Sequence, residues 1–144
     1  MYKEYCKKII EPLLMENGYY LSADCPLTYC KDLSTGIGIE IDIQKGKWYK
    51  HIRANIWILD LVNGREKDSF PDSIESYQLG DFLGMGEKDI WWSVKKTDID
   101  ETFLKIEKIM KDTLLPALKE LEDENFVKDY VKNIKLNWEL NWDN

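Results

Sequence analysis

Long apolar runs are missing from this chain: no stretch approaches the roughly 18 residues that a membrane span needs. The first residues, Met1-Tyr2-Lys3-Glu4-Tyr5, lead into a charged amphipathic segment with no apolar signal core, so a cytoplasmic location is expected. Cysteine is scarce, with only Cys6, Cys25 and Cys30. An odd number without an export signal favours reduced thiols over a disulfide framework. Histidine is scarcer still. His51 stands alone and no Gly-x-Ser-x-Gly elbow accompanies it, so a histidine-based triad has no second member to work with. At the mouth of a predicted strand, His51 reads as a surface residue. Cys25-x4-Cys30 with Cys6 and His51 offers four zinc-type ligands, but paired CxxC knuckles are lacking, and structural thiols are the expectation. Gly80, Gly84 and Gly86 lack both the strand-before, helix-after setting of a dinucleotide loop and a Walker lysine, so they read as a loop. No catalytic residue, cofactor or metal is expected.

An excess of basic charge is also missing. The net charge is −7, and residues 1–60 are balanced at eight basic and eight acidic side chains, so the whole excess lies in residues 61–144. Positions 66–101 hold ten acids, among them Asp81, Glu87 and Asp89, against four bases. Such a surface repels phosphate backbones and anionic lipid, which argues against nucleic acid and membranes as partners and favours a basic protein.

What the chain does have is a clear alternation of patterns in a length suited to one domain with a real core. Tyr2, Tyr5, Cys6, Ile9, Ile10, Leu13 and Leu14 follow helical spacing, and Asn17-Gly18 supplies a left-handed cap. Pro12 inside this helix predicts a kink. Tyr19 to Ser22 and Leu27 to Lys31 are short strand candidates around the turn Asp24-Cys25-Pro26. Ile37, Ile39, Ile41 and Ile43 alternate with Gly38, Glu40, Asp42 and Gln44, a strict period of two. After Lys45-Gly46-Lys47, a second long strand spans Tyr49 to Leu61. It carries Ile52, Ala54, Ile56 and Ile58 on one face and His51, Arg53, Asn55 and Trp57 on the other, and an antiparallel hairpin results. Residues 63–88 read as an irregular excursion, and Asp89 to Lys95 as a further strand. Adjacent strand residues face opposite ways, so Trp91 and Trp92 cannot both enter one core. A long helix from Thr97, capped by Asp98 or Thr97, buries Ile99, Phe103, Ile106, Met110, Leu114, Ala117 and Leu121, with a bend at Pro116. A short helix from about Glu124 to Lys132 follows. In the tail, 134–144, Ile134, Leu136, Trp138, Leu140 and Trp142 alternate like a strand. The predicted fold is a single α+β domain over 1–144: an antiparallel sheet of about five strands against an N-terminal helix and a long C-terminal helix.

Several of these pieces, in this order and spacing, resemble the bacterial domain-of-unknown-function family numbered 4304. They are Ile10-Glu11-Pro12-Leu13-Leu14 running into Asn17-Gly18-Tyr19, the strand Ile52-Arg53-Ala54-Asn55-Ile56-Trp57, the pair Trp91-Trp92, and Leu114-Leu115-Pro116-Ala117-Leu118. The resemblance covers about residues 3–122. An arginine that the family often carries before the tryptophan segment has no counterpart in Tyr77-Gln78-Leu79-Gly80, and the tail from Asn133 is unmatched. The resemblance implies a fold and supplies no catalytic residues.

Two features invite a functional reading. Glu40 and Asp42 share a strand face about 7 Å apart, a separation suited to paired acid–base carboxylates, although Arg53 on the next strand is placed to pair with them. Six tryptophans are more than a domain of this size fully buries, and tryptophan is enriched at interfaces. The leading expectation is a non-enzymatic protein-binding module, such as an immunity or antitoxin-like protein masking a basic toxin, with Trp92, Asp81, Glu87, Asp89, Trp138 and Trp142 as partner-binding candidates. One alternative is a small-molecule-binding protein or hydrolase using Glu40, Asp42, His51 and Arg53. Another is a homodimer assembled through the tail strand.

Overall fold

Isoleucines at every second position build the centre of the sheet. In the computed structural model, residues 1–47, 50–61, 72–83 and 91–133 are described, with the backbone alone at 72–75, 82–83 and 131–133. Strand β1 is Tyr20–Leu21, β2 is Thr28–Asp32, β3 is Ile37–Lys45, β4 is His51–Asp60, β5 is Asp72–Gln78 and β6 is Trp92–Ser93. All pairings are antiparallel in the order β1-β2-β3-β4-β5, and β6 lies against β4 at His51 and Ile52, beyond the end of β5. The β3–β4 hairpin pairs Ile39 with Ile58, Ile41 with Ile56 and Ile43 with Ala54, so both isoleucine rows fall on one face. Those side chains are buried there, each contributing on the order of 1.5–3 kcal/mol.

The helices cover that face. Helix α1 (residues 2–16) is α-helical over Tyr2–Tyr5 and Glu11–Glu16, with a π turn at Cys6–Ile10 between them. Helix α2 (residues 99–122) repeats the arrangement: α-helical over Ile99–Ile109, a π turn at Met110–Leu114, α-helical again over Leu115–Lys119, and a 3₁₀ end at Glu120–Glu122. Each π turn closes on the residue before a proline, with Glu11 N–H donating to the Cys6 carbonyl and Leu115 N–H to the Met110 carbonyl. Pro12 and Pro116 have no N–H and would crowd the carbonyl four residues back. The expected bends therefore take the form of one widened turn, and both buried stripes continue through it. Every predicted member of the α2 stripe is buried, and Phe103 meets the Tyr5 ring at 5.2 Å. Helix α3, Glu124–Asn133, adds Val127 and Tyr130 to the same core cluster.

The end of α1 follows the predicted cap. Gly18 takes φ +89°, Tyr19 N–H donates to the Leu14 carbonyl at 3.0 Å and Gly18 N–H to the Met15 carbonyl at 3.1 Å, the paired bonds of a Schellman motif. Three other expectations are corrected. The excursion at 63–88 contains strand β5 and a 3₁₀ turn at Leu79–Leu83, because β4 supplies a partner edge. A register shift at Ile58/Leu59 breaks β5's alternation, which is why its sequence shows no period. The strand expected over Asp89 to Lys95 is paired only at Trp92–Ser93 within the described residues. Asp98 stands at the N-cap of α2, just before Ile99, as expected, but without a side-chain cap bond; its carboxylate accepts instead from Ser93 Oγ at 2.7 Å and Thr97 Oγ1 at 3.3 Å. The tail strand, with Trp138 and Trp142, and the acids Glu87 and Asp89 lie outside the described residues.

Candidate functional site

The opposite face of the sheet carries its polar and aromatic side chains. Register places Glu40 of β3 opposite Cys30 of β2 and Trp57 of β4, Asp42 opposite Thr28 and Asn55, and Gln44 opposite Arg53. Cross-strand bonds tie this row together. Trp57 Nε1 donates to Asp42 Oδ1 at 3.0 Å, and Asn55 Nδ2 donates to Asp42 Oδ2 at 3.3 Å and to Gln44 Oε1 at 3.0 Å. Arg53 Nε donates to Gln44 Oε1 at 2.9 Å, and its guanidinium stacks 4.5 Å from the centre of the Trp91 ring. Trp91 in turn rests against Gly46, in the turn that follows β3. Trp57 is 38% exposed and Tyr20, at the β1 edge, 51%.

The double tryptophan therefore straddles the sheet as adjacent strand residues must. Trp91 belongs to the outer face. Trp92 packs on the core, and its indole N–H is buried without a hydrogen-bond partner among the described residues. Trp92, the member of the pair singled out for partner contact, is thus the inward one, and the outward ring is Trp91. Asp81 is half-buried and turns the chain after β5, its Oδ2 accepting from Gln78 N–H at 2.8 Å.

Glu40, Asp42, His51 and Arg53 share one face but do not converge. Glu40 is level with Trp57, six residues along β4 from His51, a separation of about 20 Å at strand rise. Asp42 is met by neutral donors, and Arg53 lies level with Gln44, beyond it. Glu40 makes no hydrogen bond or ion pair with the described residues, and burial together with the neighbouring Asp42 charge holds its carboxyl above the usual range. Burial, then Glu40, Asp32 and Cys25, push the Cys30 thiol up to about 11, which keeps it protonated and a poor nucleophile at neutral pH. Cys6 is buried among the α1 core residues on the other side of the sheet and cannot join Cys30 at one metal. Among the described residues no group of three or more histidines, cysteines or carboxylates is placed to hold a metal ion, and no helix is long and apolar enough to cross a membrane.

Sequence alternation placed Trp57 and Asn55 outside but left them unconnected to Asp42. The signal that joins them is the hairpin register, which the strand pattern alone leaves open by steps of two. The chain matches no family model, no curated protein and no solved structure.

Proposed function

We propose that this protein is a non-enzymatic, cytoplasmic protein-binding module whose outer sheet face docks a basic partner protein, in the manner of an immunity or antitoxin-like protein. The observation that carries the reading is the Glu40–Asp42 pair: two carboxylates on one strand face, Glu40 raised by burial and then by Asp42, beside a part-exposed indole. A lysine or arginine from a partner relieves the repulsion between the two acids. It also gains the Trp57 ring as a cation–π surface. The Arg53–Trp91 stack and the Asn55–Gln44 bonds hold the rest of the face in place before a partner arrives, which lowers the ordering cost of association. The family resemblance guides the fold in this reading and contributes no residue to it. The tail homodimer remains a separate proposal on residues outside those described.

Affinity purification of the tagged chain with the product of the adjacent gene tests the reading. A basic partner should be retained at low salt and released at high salt, because an exposed charge-led contact is screened. The triple variant E40Q/D42N/W57A should lose that partner while α1 and α2 stay folded by circular dichroism. A repeatedly empty purification, or undiminished capture by the folded triple variant, contradicts it.

A further inference from the structure

The turn that ends α1 faces the stretch of α2 just past its π turn across a cleft of about 220 Å³, on the side of the sheet away from the docking face. Its floor is apolar, formed by Leu33 and Ile39 of the sheet region and Leu115 and Leu118 of α2. Its rim carries two acids and two bases: Glu16, Glu122, Lys31 and Lys119. The protein itself places an ammonium group there. Lys31 Nζ donates to the Asn17 carbonyl at 2.8 Å and to Glu122 Oε1 at 3.1 Å, and lies 5.5 Å from the centre of the Tyr19 ring. The carbonyl end of α1, where the helix dipole is negative, reinforces that preference for a cation.

One donor is left over. The Tyr19 ring is buried in the cleft wall, and its hydroxyl is not sealed off from solvent and makes no hydrogen bond to a described residue. A hydroxyl in a cavity wall with no protein acceptor has its donor free for water or for a molecule in the cleft. Burial and the nearby Glu122 carboxylate raise this phenol's pKa, so it stays protonated and keeps an O–H to donate, as a carboxylate would require. Lys31, with two of its three N–H groups committed, has one more to give, and Lys119 adds a second ammonium. The volume is below the roughly 300–1,000 Å³ of drug-sized sites and suits a small metabolite.

We infer that this cleft binds a small zwitterion with an apolar side chain, an aliphatic or aromatic α-amino acid. Its carboxylate is held by Tyr19, Lys31 and Lys119, its ammonium by Glu16 and Glu122, and its side chain by the leucine and isoleucine floor. This goes beyond the docking role and does not rest on it. Calorimetric titration of the full chain with L-leucine, L-valine and L-phenylalanine tests it, with 4-methylpentanoate and isopentylamine as half-ligands lacking one charge each. Saturable binding of at least one amino acid is expected. Each half-ligand should bind leucine's site about tenfold more weakly or worse, the loss of one charge-assisted contact. Tyr19→Phe and Lys119→Ala should each weaken binding several-fold at unchanged helicity, and E40Q/D42N should leave it as it is. No heat from any of the three amino acids, a half-ligand as tight as leucine, or wild-type affinity in both Tyr19→Phe and Lys119→Ala overturns the assignment.

Discussion

At the scale of single residues, Glu40 is a carboxylate that folding makes less comfortable. Burial first, and Asp42 second, raise its pKa in the folded protein. For an acid, a raised folded pKa means that ionisation opposes folding. The penalty is full above the folded pKa, shrinks as pH falls through the carboxylate range, and is gone below the unfolded value near about 4.3. Glu40→Gln should therefore stabilise the protein at pH 7, by a few tenths of a kcal/mol once solvent screening is allowed for. Urea melts at pH 7 and at pH 3 check this: the variant's advantage should disappear at the lower pH. Asp98 has the opposite sign, because bonds from Ser93 and Thr97 and the charges of Lys95 and His51 outweigh its desolvation and lower its pKa. Its stabilisation is present above the unfolded value and lost as acid protonates it. Neither residue's environment was legible from spacing. Glu40 and Asp42 were visible as a pair, but Trp57's bond to Asp42 and the displacement of Arg53 to Gln44 depend on a cross-strand register.

Elements were more legible, wherever a pattern is set by one buried face. The β3 and β4 alternation, the α1 cap and the α2 stripe each follow from a single periodicity, and the structure repeats them. Gly18→Ala should cost about 1–2 kcal/mol, because φ +89° penalises a Cβ and the new atom would sit 3.2 Å from Lys31 Cε. A thermal melt should show the loss, and Gly18→Asn should recover part of it, since asparagine tolerates the left-handed region. Phe103→Ala, at a fully buried position against Tyr5, should cost about 3–5 kcal/mol in urea unfolding. Strand β5 is not legible in the sequence for a physical reason: its polar sequence forms a strand because β4 has an open edge, and its bulge erases the alternation. The π turns are not legible for another. Proline announces that a helix must adjust, but not whether it bends, breaks or takes in one extra residue.

Over the whole molecule, the two faces of the sheet do different work. One is sealed by α1, α2 and α3 around a continuous apolar cluster. The other holds a cross-linked row of polar and aromatic groups from Trp57 to Trp91, with the Glu40–Asp42 pair at its Trp57 end. The negative balance that suggested a basic partner was plain in the composition. Its focal point was not: alternation pairs Glu40 with Asp42 on β3, but the Trp57 indole beside them is placed by the cross-strand register, which composition does not carry. Zero-length carbodiimide coupling of the purified complex, which joins a carboxylate to a lysine in direct contact, tests the docking claim most directly. Glu40 or Asp42 should be recovered in peptides joined to lysines of the partner, and high salt should abolish the products. Coupling confined to the exposed acids of α2, such as Glu101 and Asp112, with Glu40 and Asp42 unmodified by the partner, would contradict the account.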